Sequence, residues 1–247
     1  MRISRKEWVL GTTIAAAIAL AILSMPEFLE PLARSVVSAA GPLWLLAVLF
    51  IGIVHGIKPD EHTWPITVSY AMMQKNLSGV VKAVSVFAGA LTIIWTLMSA
   101  LMGELMGLVD IQVLHPYVNF IVGATMIGVA AYLVFGDNKE ENNVKTADYR
   151  MIWIHGLAAA FGGDFVIVLV LTAALVPAIS SGLGFLVGLV FGLGSWMAQS
   201  LIVVLIYKGV IHGVHNWESM AKAGRLALGI LGIFMIFLGM VSLFIPF

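Results

Sequence analysis

Two imidazoles, two carboxylates and an ammonium stand in one short stretch, His55-Gly-Ile-Lys-Pro-Asp-Glu-His62. His55, Asp60 and His62 are ligands of the kind that suit nickel, cobalt, zinc, manganese or iron(II). On an unbroken helix His55 and His62 share a face and Asp60 does not. Pro59 lacks an N–H and clashes with the preceding turn, so a break there lets all three converge. Asp60 is also well placed to cap the helix that follows. Glu61 and Lys58 read as a charge pair that neutralises the cluster. Apolar runs over 42–54 and 63–73 flank the stretch, which puts these groups inside a membrane segment. Each such charge costs roughly 2.5–3.5 kcal/mol on insertion scales, so a cluster of them marks a functional site.

A second stretch has the same pattern. Trp153-Ile-His-Gly-Leu157 repeats Ile53-Val-His-Gly-Ile57, and Phe161-Gly-Gly-Asp164 follows it as Pro59-Asp60 follows the first. His155 and Asp164 are therefore expected as further metal ligands. Helix breaks are expected at Gly56 and Pro59 and again at Gly162 and Gly163. The plainer roles are structural hydrogen-bonded histidines at a helix contact for His55 and His155, and a helix cap for Asp164. His212 and His215, with Glu218, share a face if helical. They read either as a metal relay on the cytoplasmic side or as a solvated loop.

The whole composition agrees with a membrane setting. The chain is 61% hydrophobic and only 11% charged, where a soluble domain carries about 25% charge. Formal net charge is zero, so no nucleic-acid partner is expected. There is no cysteine, which excludes disulfides, thiol redox relays and Cys-bound zinc or iron–sulfur centres. Partners are then membrane lipid and a metal ion, with a homo-oligomer left open. The basic start, Met1-Arg-Ile-Ser-Arg-Lys6, precedes a long apolar run that lacks an A-x-A cleavage pattern, so that run reads as a retained helix.

The expected fold is an all-α polytopic membrane protein with seven transmembrane helices. The spans are read at 8–24, 42–74, 79–107, 117–135, 151–179, 182–207 and 226–244, joined by an amphipathic connector at 26–41 and a polar link at 208–225. Residues 1–40 form an extra N-terminal helix and connector, 41–136 a first three-helix repeat, 137–150 a cytoplasmic loop, and 151–247 a second, inverted three-helix repeat. The first helix of each repeat is interrupted. Basic residues lie almost wholly on one side of this topology: Arg2, Arg5, Lys6, Lys75, Lys82, Lys139, Lys145, Arg150, Lys208, Lys222 and Arg225 inside, Arg34 outside. That asymmetry places the N-terminus in the cytoplasm and the C-terminus outside. Interrupted helices at matching positions of inverted repeats point to a transport site near the bilayer midplane.

The motif His55-x4-Asp60-x-His62, set in the first helix of a three-plus-three repeat, resembles the H-x4-D-H signature of the nickel/cobalt transporter family (NiCoT/NicO) of the lysine-exporter superfamily. The resemblance covers residues 42–246 and leaves the first helix as an addition. Glu61 separates Asp60 from His62 where the family has them adjacent, and Gly163-Asp-Phe165 only loosely echoes the family's second-half motif. The resemblance implies a carrier for Ni2+ or Co2+ in a prokaryotic plasma membrane. It implies no cofactor beyond the transported metal, and His55, Asp60 and His62 as ligands. Two other classes stay open. An intramembrane zinc-dependent hydrolase would use the same histidines, although no H-E-x-x-H is present. A proton-linked exporter of a small organic or sulfur compound would carry protons on Asp60 and Asp164 and hold an anion at Lys58.

Overall fold

Ser4 opens the first helix. Its hydroxyl accepts the Glu7 N–H at 3.3 Å, and the Glu7 carboxylate accepts the Ser4 N–H at 2.6 Å, which satisfies two of the donors a helix start leaves free. The computed structural model describes residues 3–24, 29–105, 115–135, 148–175, 181–214 and 216–244. The fold is all-helical among them. The helices are α1 (Arg5–Leu23), α2 (Leu29–Ala40), α3 (Trp44–Ile57), α4 (Trp64–Met72), α5 (Leu77–Leu105), α6 (His115–Phe135), α7 (Tyr149–Ala159), α8 (Gly163–Leu175), α9 (Phe185–Val214) and α10 (Trp217–Phe244).

Four of these are long and apolar enough to cross a membrane: α1, and the stretches Leu77–Met102 of α5, Phe185–Ile211 of α9 and Trp217–Val241 of α10. Each keeps large apolar side chains on its outer face, such as Leu20, Leu97, Leu201 and Phe237. The remaining spans expected from the sequence correspond to α3 followed by α4, to α6, and to α7 followed by α8; among their described residues the apolar stretches Gly41–Ile57 and, in α6, Phe120–Tyr132 are shorter.

Close packing rests on small residues. α5 lies along α9 and α6 along α10, while α9 also packs on α3 and α1 on α10. A Cβ on Gly52 or Gly56 would collide with the Phe191 or Ser195 carbonyl oxygen of α9, so only glycine lets α3 approach so closely. Gly188 and Gly192 bring α9 onto α5 at Trp95 and Thr92. Gly123 and Gly232 meet reciprocally. A Cβ on Gly123 would stand 2.7 Å from the Gly232 oxygen, and one on Gly232 would stand 2.9 Å from the Gly123 oxygen.

Two readings of the sequence change. Gly56 lies in the last turn of α3, ahead of the break, where it allows close approach to α9. Within the amphipathic connector at 26–41, Leu29–Ala40 form α2. The link at 208–225 is mostly helical, because α9 runs to Val214 and α10 begins at Trp217. Arg225 therefore lies within α10 and is fully buried, rather than in a cytoplasmic loop. The amphipathic start of α10 has one face on α1. There Lys222 Nζ lies 3.3 Å from Glu7 Oε1, and the Ser219 hydroxyl donates to the same oxygen at 3.3 Å.

Candidate functional site at the two helix breaks

The first break spans 58–63, between α3 and α4. Pro59 causes it. The residue before a proline is driven out of the helical region, and Lys58 is extended, with φ −63 and ψ 126. Asp60 then rebuilds the chain. Its carboxylate accepts the backbone N–H of His62 at 2.8 Å and of Thr63 at 2.7 Å, and it also accepts the Thr63 hydroxyl. Pro65 sits in the first turn of α4, where its missing N–H costs nothing. Asp60 therefore closes the turn that leads into α4 but does not cap the helix as expected: the N-cap is Thr63, without a side-chain cap hydrogen bond, and the N–H groups bound by Asp60 belong to residues ahead of the helix.

The second break is shorter, at 160–162 between α7 and α8. The Gly162 N–H returns to the Ala159 carbonyl at 2.9 Å, and the Gly162 carbonyl accepts the Phe165 N–H at 2.9 Å. Ending α7 frees carbonyls that need donors. Trp95 of α5 supplies one, its Nε1 donating to the Ala160 carbonyl at 3.0 Å.

The two breaks touch. A Cβ on Gly162 would lie 2.5 Å from Cγ and Cδ2 of the His62 ring. His62 is buried, and its Nδ1 is 3.8 Å from the half-buried Glu61 carboxylate. Lys58 and Asp60 are buried beside it in sequence.

His55 is buried in α3 with its ring stacked on Phe191 (centroids 5.1 Å, interplanar angle 26°) and edge-on to Trp95 (5.9 Å, 74°). His155 is buried in α7, its Nδ1 2.7 Å from the Tyr70 hydroxyl of α4. The next residue, Gly156, lets α7 close on α5, where a Cβ would meet the Phe87 oxygen at 2.7 Å. Gly163 and Asp164 begin α8, and the Asp164 side chain lies outside the described residues. The same holds for the side chain of His212, near the end of α9, and for His215 altogether. Among the described residues no three His, Asp or Glu side chains gather as a metal cluster. The breaks bring His62 and Glu61 to the junction and set Asp60 to shape the turn beside it, while His55 and His155 lie in α3 and α7, the helices that lead into the two breaks.

Residues that the sequence reading did not single out complete the site. Trp95 and Phe191 enclose His55, and Tyr70 binds His155. Thr172 of α8 donates to Ser99 of α5 at 3.2 Å. All are ordinary apolar-helix residues, and only tertiary pairing gives them a role. The fold and junction define an all-helical protein with two interrupted helices in contact inside it. No family model matches the chain, and no curated protein or solved structure matches it.

Proposed function

We propose that this protein is an integral membrane carrier for divalent transition-metal cations, Ni2+ or Co2+ first among them, with the cargo site where the two broken helices meet. The observation that carries this reading is the His62 ring resting on Gly162. It sets an imidazole and the neighbouring Glu61 carboxylate beside the unwound ends of two helices. Broken helices meeting at one depth, with ionisable groups between them, are how secondary carriers hold a cation in a membrane. His62 and Glu61 are the proposed first ligands. Asp60 orients them by fixing the turn, as supporting carboxylates do around metal sites. The NiCoT-like motif supplies the choice of metal. No catalytic step is needed, so the protein acts as a carrier and not as an enzyme.

The reading includes seven spans: α1, α3 with α4, α5, α6, α7 with α8, α9 and α10. It also includes two inverted repeats that begin at α3 and α7. Several contacts support the repeats. The pairs α5 with α9 and α6 with α10 join like members of the two halves. Gly123 and Gly232 meet reciprocally, and Gly56 lies on α9 while Gly156 lies on α5. Contacts exchanged between halves in this way are what a pseudo-two-fold axis generates. Orientation is supported by residues gathered at one end. Glu7 pairs with Lys222, Lys75 Nζ lies 5.0 Å over the Trp217 ring, and the Tyr207 hydroxyl donates to the Gln74 carbonyl at 3.2 Å. This is the end that charge asymmetry assigns to the cytoplasm of a prokaryotic cell.

The test is uptake of radioactive nickel or cobalt into proteoliposomes. His62→Ala is expected to weaken metal binding about 10–100-fold and to lower flux accordingly. Metal binding and flux both unchanged in His62→Ala and in His55→Ala would sink the reading. Ester or lipid turnover lost in the same variants would move the protein to the hydrolase class.

A further inference from the structure

Gln199 is 1% exposed on α9, and neither atom of its carboxamide has a hydrogen-bond partner among the described residues. Its direction follows from its neighbours. Met197, Leu201 and Leu205 are 55%, 60% and 56% exposed and mark the outer face of the helix. With 3.6 residues per turn, Gln199 points opposite that face, into the protein. Ser195, one turn earlier on the inner side, is buried too.

Two contacts give its depth. A Cβ on Gly56 would lie 3.0 Å from Ala198 Cβ, just before the first break, and Tyr207 binds the Gln74 carbonyl just beyond α4. Thus α9 runs parallel to α3 and α4, and Gln199 comes level with the break at 58–63. A buried amide without partners is strongly unfavourable, more so where only lipid lies outside. A carboxamide kept there with its full bonding capacity needs a ligand that both donates and accepts.

We infer that Gln199 lines the aqueous route of the cation at the depth of the first break and contacts its hydration shell. The amide oxygen accepts from one shell water and the nitrogen donates to another. This rests on the carrier reading and extends it to a third helix.

The chain has no cysteine, so Gln199→Cys introduces a single thiol into the otherwise native protein. A hydrophilic methanethiosulfonate reagent is applied to reconstituted protein, with Val203→Cys and Leu201→Cys as buried and outward controls on the same helix. A thiol reacts only where water reaches it and supports its ionised form, so Gln199→Cys is expected to label at least ~10-fold faster than either control. Nickel or cobalt should slow that labelling. Labelling no faster than both controls overturns the inference. Fast labelling that neither metal slows overturns the contact with the cation, and tracer uptake by the unmodified chain then shows separately whether the carrier reading falls. Gln199→Leu is an independent check. It should carry cations at least ~10-fold more slowly. Undiminished flux in that variant also overturns the inference.

Discussion

The two helix breaks solve one problem in different ways. Between α3 and α4 the chain is interrupted over 58–63, and its own side chain, Asp60, satisfies the freed backbone. Between α7 and α8 the interruption is confined to 160–162, and a neighbouring helix provides the donor through Trp95. The first break carries Lys58, Asp60, Glu61 and His62; the second presents the bare backbone of Gly162. Among the described side chains the difference separates polar groups from space. The first break holds those proposed to meet a cation, and at the second Gly162 makes room for an imidazole that a methyl group would exclude.

The sharpest way to break this comparison is Asp60→Ala. It removes the acceptor for two buried N–H groups and a hydroxyl, and hydrogen bonds to a charged group are worth about 1.5–3 kcal/mol each. A loss of about 3 kcal/mol is expected in denaturant unfolding in detergent, with Asp60→Asn retaining part of it. A variant as stable as the parent would show that the first break does not depend on its carboxylate. Gly162→Ala comes next, at about 2 kcal/mol, because overpacking against a buried ring forces shifts in both elements. Combining it with His62→Ala should recover about 1 kcal/mol or more in a double-mutant cycle, and strict additivity would mean the two breaks do not press on each other. The smallest effect is expected from Trp95→Phe. It leaves the Ala160 carbonyl without its indole donor at a cost of about 1–2 kcal/mol, and circular dichroism during thermal melting would measure it. A cost equal to that of Asp60→Ala would erase the distinction between a self-capped and a neighbour-capped break.

Much of this architecture was legible because proline and glycine act locally. Pro59 dictated an extended Lys58, and Gly162 falls in the second break, although α7 already ends at Ala159 and Gly163 belongs to α8 rather than to the break. Asp60 likewise acts on residues two and three further on, so a turn could be expected from spacing alone, although it stops short of capping α4. Gly56 misled, since a glycine beside a proline reads as part of the break while its actual role is contact with α9. The polar pattern around His212 and Glu218 suggested a loop, yet the segment up to Val214 and the one from Trp217 are helical. Polar residues at a helix end and in a loop look alike by composition. Trp95, Phe191, Tyr70 and Gln199 could not have been found this way. Each is one more residue in a long apolar helix until another helix is placed against it.

Trp95 has one further consequence. The same indole donates to the carbonyl that closes α7 and presses edge-on against the His55 ring of α3, while its own carbonyl is held against Gly188. A single rigid side chain thus bridges both interrupted helices and the α5–α9 seam. A displacement of α7 relative to α5 must give up the indole's hydrogen bond, and one of α3 must give up its ring contact, so both helices are referred to the same rigid group.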